Sequence, residues 1–234
     1  MSGQPKPKKN ILGLFRFSVG SFLAGLVLLF AAAPFVAHTE NGRMLESGLM
    51  TMVLISAVLA VGRRRRVLWL AVLMLVPTVI GKWLNHFLPD AVSPVWFFTA
   101  SLIFIGFIIF QLIQFILLAP RVDSEVMCAG ISAYLLLGLL WSFAYMLVAC
   151  LVPNAFFFDG RIEAATEMTS FTSVYFSFVT LTTVGYGDIT PVASVARMLA
   201  AAEAMTGTIY VAVFISRLVA LYSSQNPGAR ERKG

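Results

Sequence analysis

The chain has 234 residues, of which 59% are hydrophobic and only 12% charged, and its mean hydropathy is +0.87. Soluble domains carry about a quarter of their residues charged, so a water-soluble core of this composition is excluded and lipid is the expected solvent. The formal net charge of +6 lies between apolar runs and not on one patch, which excludes a nucleic-acid footprint and leaves the charges as topology signals.

In chain order, six apolar stretches approach the length of a bilayer: 17–37, 45–62, 67–87, 94–119, 126–152 and 193–222. The second and third have cores of only about 15 residues, and the run Arg63, Arg64, Arg65, Arg66 between them can snorkel to make up the length. The first stretch also has the charged start and small-residue end of a secretory leader. Its apolar run is longer than a leader needs, and Pro34 lies among the candidate cleavage sites, so a retained span is expected.

Orientation follows from the basic residues. With a cytoplasmic N-terminus, the inner side holds Lys6, Lys8, Lys9, Arg16, Arg63 to Arg66, Arg121, Arg217, Arg230, Arg232 and Lys233. The outer side holds only Arg43, Lys82, Arg161 and Arg197. Both termini are therefore expected in the cytoplasm. The organisation read from this is a cytoplasmic segment 1–16, a four-helix unit 17–120, a second unit 121–222 and a cytoplasmic tail 223–234.

Cys128 and Cys150 lie on one expected helix, roughly 33 Å apart at 1.5 Å per residue, so they cannot bridge within a chain. Free buried thiols are the expectation, with an inter-subunit bridge at Cys150 as the alternative. His38 and His86 are isolated, and no metal-ligand spacing occurs. Lys82 and His86, one turn apart, form a candidate proton- or cation-sensing spot, although interfacial placement alone accounts for them.

The fourth stretch, "VWFFTASLIFIGFIIFQLIQFILLAP", has no basic residue from 95 to 120, and Gln111 and Gln114 are its only strongly polar side chains. A voltage-sensing helix needs repeated charges, each contributing about 2.3 kcal/mol per 100 mV. The connector that follows, 120–125, reaches at most about 20 Å. It favours packing of the first four helices on their own subunit.

Residues 153–192 begin polar and become amphipathic in "TSFTSVYFSFVTLTT". Thr169 or Ser170 can cap a helix of about three turns there, too short to cross a bilayer. It must enter and stop, which makes it a re-entrant segment. The backbone after it reads "TVGYG", 183–187. Successive carbonyls that point one way require alternating backbone handedness, and Gly185 and Gly187 are spaced to supply positive φ. Val184 and Tyr186 can then turn away from the axis. Thr183, Val184, Gly185 and Tyr186 would offer carbonyls, and Thr183 its hydroxyl. Four copies around an axis would stack oxygen rings able to replace a cation's water. The short helix would aim its negative end at the cavity below.

The run "TTVGYGD", 182–188, resembles the signature filter of the tetrameric potassium channel superfamily, and about 126–222 resembles its outer-helix, pore-helix, filter and inner-helix module. The resemblance implies an all-α integral membrane protein: six transmembrane helices, a re-entrant pore helix and a selectivity filter, in a fourfold-symmetric homotetramer. It implies K+ as the permeant ion at Thr183, Val184, Gly185 and Tyr186, with Gly187 completing the filter, and no cofactor. One motif per chain implies a tetramer and not the dimer of two-pore-domain relatives. Thr182, Asp188, Tyr175 and Phe176 fall at positions that support the filter from behind. Val179 stands where some bacterial members carry a filter-coupled glutamate, so that coupling is not carried over. Gly207 matches the hinge glycine of the inner helix, with close helix packing as the plainer reading. Thr208, Val211 and Ile215 follow on one helical face. By resemblance that face lines the cavity, and near Ile215 and Val219 the inner gate.

Glu203 is an acid deep in the last span, where insertion scales put the cost at roughly 2.5 kcal/mol or more. It is expected to face protein near the short helix, supporting the filter or satisfied locally. Arg197 is expected at the outer rim, and Arg217 near the inner mouth in contact with solvent or lipid phosphate. Arg63 to Arg66 can anchor topology or bind anionic lipid head groups. The expected function is passive, potassium-selective permeation across a plasma membrane, bacterial by its compactness, without classical voltage gating. A non-conducting subunit or scaffold is the alternative. No catalytic constellation appears, so no enzyme is expected.

Overall fold

The structure, a computed structural model, describes residues 19–36, 42–61, 65–87, 93–159 and 167–225. Seven helices and two short strands follow in order: α1 Val19–Val36, α2 Gly42–Val61, α3 Arg65–Phe87, α4 Pro94–Leu118, α5 Ser124–Leu151, β1 Phe156–Phe158, α6 Ser170–Leu181, β2 Ile189–Pro191 and α7 Ser194–Gln225. Four helical stretches among the described residues are long and apolar enough to cross a membrane: Arg65–Leu84, Pro94–Leu118, Ser124–Leu151 and Ser194–Ala220. The third stretch, expected to be short, is one of these. Its helix begins within the arginine run, so Arg65 and Arg66 belong to its first turn. The apolar parts of α1 and α2, Val19–Phe35 and Ser47–Val61, are shorter.

The helix ends follow from local chemistry. Pro94 opens α4, where its missing N–H is no loss, and Pro120 follows its end. Asp123 caps α5 by accepting the Val126 amide at 2.9 Å. Pro153 follows the end of α5. α1 and α4 pack on α5, while α2 and α3 pack chiefly on their neighbours among the first four helices. Phe22 and Leu26 of α1, Phe104 and Ile108 of α4, and Ala129 and Ala133 of α5 are almost wholly buried in one apolar cluster. α4 runs beside α5 along much of its length, α1 packs on α2 and α5, and α3 packs on α2 and α4. Cys128 is half-buried and Cys150 exposed, both free.

The all-α expectation needs one correction. β1 pairs antiparallel with β2, matching Phe156 with Pro191, Phe157 with Thr190 and Phe158 with Ile189. Aromatic and β-branched side chains suit a pleated ribbon. Phe156 and Ile189 are buried beside Tyr145 of α5 and Phe176 of α6. The ribbon therefore joins the chain ahead of α6 to the chain just beyond the glycine-rich run.

Candidate functional site

The site is built on α6. Thr169 caps it, its side chain accepting the Thr172 amide at 3.2 Å. The twelve-residue helix then ends at Leu181 beneath an irregular strand. Its middle is held by Ser177, whose hydroxyl lies 2.7 Å from the Gly138 carbonyl of α5 and 2.5 Å from Glu203 Oε1 of α7. The Tyr145 hydroxyl of α5 bonds the other carboxyl oxygen of Glu203. Glu203 thus faces protein, fully buried against α6.

Beyond α6 the backbone alternates. Thr183 has φ +60°, Gly185 +57° and Gly187 +79°. The two glycines stand in the left-handed region where expected, and Thr183 joins them, which a β-branched residue does only at a cost. The amides of this run point back at the helix. Val184 N–H donates to the Val179 carbonyl at 3.0 Å, Gly185 N–H to the same oxygen at 3.3 Å, and Thr183 N–H to Thr180 at 2.9 Å. Val179, without a carboxylate, serves the strand through its backbone. The Thr182 hydroxyl donates to the Phe178 carbonyl at 2.6 Å. No donor among the described residues bonds the carbonyls of Thr183, Val184, Gly185 or Tyr186. With the amides of Thr183, Val184 and Gly185 turned back on α6, the carbonyls of Thr183 to Tyr186 are left as backbone acceptors without a donor among the described residues.

Residues 134–224 match the ion channel family. Two pore potassium channel b of Oryza sativa subsp. japonica is 36% identical over 89 residues, 38% of this chain and 24% of the relative. Two pore potassium channel a of the same plant is 36% identical over 88 residues, 37% of this chain and 24% of the relative. Protein LctB of Bacillus caldotenax is 51% identical over 47 residues, 20% of this chain and 34% of the relative. The chain thus spans about a quarter of the rice relatives' length and about a third of LctB. No solved structure matches. Together the matches support the resemblance to the potassium channel superfamily on the segment that carries the filter-like strand.

The segment 134–224 brings some expected residues together and separates others. Tyr175 donates to Asp188 Oδ2 at 2.6 Å, while Asp188 Oδ1 accepts the Ile189 amide at 3.0 Å. Tyr175 therefore reaches the far end of the strand. Phe176 does not. Its ring packs at 4.8 Å on Tyr145 and at 5.6 Å on Phe156. Gly207 is buried, and a Cβ there would overlap the Leu181 carbonyl oxygen, so close approach of α7 to the end of α6 accounts for the glycine. Thr208, Val211, Ile215 and Val219 are exposed along α7. Val184 and Tyr186 are 54% and 70% exposed, so one chain leaves the strand's side chains unpacked.

Arg217 departs from expectation. It is half-buried and has protein partners that the sequence did not suggest: its guanidinium donates to the carbonyls of Leu117 at 2.8 Å and Ala119 at 3.1 Å. These are orphan acceptors at the C-terminal end of α4, where a cation is favoured. Arg197 Nε donates to the Pro191 carbonyl of the ribbon at 3.2 Å. Lys82 Nζ lies 5.6 Å from the Phe97 ring centroid, while the side chain of His86 lies outside the described residues. Arg65 and Arg66 are exposed, and Arg63 and Arg64 also lie outside the described residues.

Proposed function

We propose that the chain is the subunit of a potassium-selective channel that lets K+ permeate passively. The observation that carries this reading is the strand 183–187: positive φ at every second residue and, over 183–186, carbonyls that accept no bond among the described residues. Oxygen rings of that kind substitute for the hydration shell of a monovalent cation. The C-terminal end of α6, with its negative dipole, lies next to Thr183 and favours a cation.

A single strand cannot surround an ion, and each chain carries one copy of the motif. A fourfold homotetramer supplies four strands, and it would cover Val184, Tyr186 and the bare length of α7. In this reading α1 and α2 complete six crossings, with flanking residues making up their shorter apolar lengths, and α6 is the pore helix. Thr208, Val211, Ile215 and Val219 line the cavity and gate, and both termini face the cytoplasm. Arg63 to Arg66 lie where they can meet anionic lipid. The second reading is a non-conducting subunit, and the intact "TVGYG" weighs against it, since a silent subunit has no need of every filter oxygen.

Cation flux into liposomes holding the purified protein tests this. Barium-sensitive K+ flux, little Na+ flux and a dead Gly185→Asp variant are expected. No K+ flux across a range of pH and lipid, or equal K+ and Na+ flux, overturns it.

A further inference from the structure

The bonds around Glu203 can be counted proton by proton. Ser177 Oγ lies 2.5 Å from Glu203 Oε1 and 2.7 Å from the Gly138 carbonyl oxygen. A serine hydroxyl has one proton to give, and a carbonyl has none. If Glu203 were ionised, two acceptors would share that proton, and one short O···O approach would set lone pair against lone pair. A proton on Oε1 removes the conflict. Oε1 then donates to Ser177, Ser177 donates to Gly138, and Tyr145 donates to Oε2.

We propose that Glu203 is held as a neutral carboxylic acid and donates a hydrogen bond to Ser177. In that state it is a positioning residue that ties α7 to α6 and, through Ser177 and Tyr145, to α5. The titratable groups facing it are Tyr145, which bonds it, and Tyr134, both of α5. Its carboxyl oxygens bond Ser177 and Tyr145, neither of which is a cation. An ionised carboxylate in that fully buried place would find no cation in these partners to offset its desolvation. Ser177 stands six residues before Thr183, so the bond sets the height of the strand 183–187 relative to α7.

Glutamine discriminates between the two states. Its amide can donate to Ser177 and accept from Tyr145, repeating the acid's pattern, whereas a carboxylate only accepts. The full chain in liposomes is compared with Glu203→Gln, Glu203→Ala and Ser177→Ala by infrared spectroscopy and thermal unfolding. At neutral pH the chain should show a protonated-carboxyl band that Glu203→Gln lacks and Ser177→Ala shifts. Glu203→Gln should unfold within about 2 °C of the unaltered chain, and Glu203→Ala at least about 4 °C lower. Absence of the band, a band unmoved by Ser177→Ala, or a Glu203→Gln variant as unstable as Glu203→Ala overturns the proposal. None of these readouts needs ion flux, so they stand or fall apart from the permeation reading.

Discussion

Arg217 and Leu117 are 100 positions apart in the chain, yet the guanidinium of one bonds the carbonyl of the other at 2.8 Å. With the second bond to Ala119, the lower part of α7 is fastened to the end of α4. Movement of α7 must therefore carry α4 or break both bonds. Bonds to charged donors are worth about 1.5–3 kcal/mol each when shielded, less where water reaches them. Arg217→Ala should destabilise the chain by about 1–3 kcal/mol, a drop of roughly 2–10 °C in unfolding temperature. Arg217→Lys, which keeps the charge and loses the fork, should fall between. An Arg217→Ala variant that melts unchanged would show that the two bonds contribute nothing.

Removing the Tyr175 hydroxyl takes away a support of Asp188 and leaves the packing of the ring in place. Tyr175→Phe should cost about 1–2 kcal/mol in stability and lower the ratio of K+ to Na+ flux. Asp188→Ala, which removes both carboxyl oxygens, should cost at least as much. The double variant should lose less than the sum, because both changes break one interaction. Additive losses in a double-mutant cycle would separate the two residues.

Three glycines give a graded comparison. At Gly207 a methyl group meets the backbone of Leu181, whereas at Gly130 and Gly138 it meets the far ends of the Phe214 and Phe178 rings. Backbone cannot step aside as a ring can. Gly207→Ala should cost about 1–3 kcal/mol and Gly130→Ala less. Thermal unfolding of the two variants side by side is the measurement, and the reverse order would show that α7 does not approach α6 this closely.

Thr183 holds φ +60° with a branched Cβ. Conformations of this kind cost about 1–3 kcal/mol, and glycine relieves them while adding about 0.4–1 kcal/mol of unfolded-state entropy. Thr183→Gly should therefore melt no lower than the unaltered chain and yet lose K+ over Na+ preference, because the hydroxyl is gone. A large fall in unfolding temperature would mean that the threonine side chain is needed for folding.

The absence of basic residues from 95 to 120 predicts a conductance that barely responds to voltage through α4. Recording from bilayers at both signs of potential checks this. A steep conductance–voltage curve with several elementary charges per subunit would contradict it.

Much of this was legible in the residues. α4, α5 and the short α6 follow from unbroken apolar runs, a capping Asp123 or Thr169, and prolines at their borders. The glycine spacing announced the alternating strand. What escaped was long-range or very short. Arg217 finds its acceptors through helix packing, which no local period encodes. Three-residue strands such as Phe156–Phe158 fall below any alternation signal. Phe176 looked like a second brace beside Tyr175, but adjacent helical positions point about 100° apart, so one ring turns to the strand and the other to Tyr145. The left-handed φ of Thr183 was hidden because residue type alone argues against it.

The ribbon of β1 and β2 has a mechanical consequence. Just beyond it the Asp159 amide bonds the Asp188 carbonyl at 2.8 Å. The chain from 159 to 188, α6 and the carbonyl strand included, is thus a loop knotted shut at its neck by hydrogen bonds and not by a covalent link. Closing a loop of this length has an entropy cost that changes slowly with its size, so the neck can tolerate insertions in the stretch before α6. It cannot tolerate slippage: a shift of one register in the ribbon would turn Ile189 outward and drag Asp188 away from the Tyr175 hydroxyl. Force applied at the exposed ring of Phe157 would pass through its partner Thr190 toward Asp188, which the Tyr175 hydroxyl holds at the end of the strand 183–187.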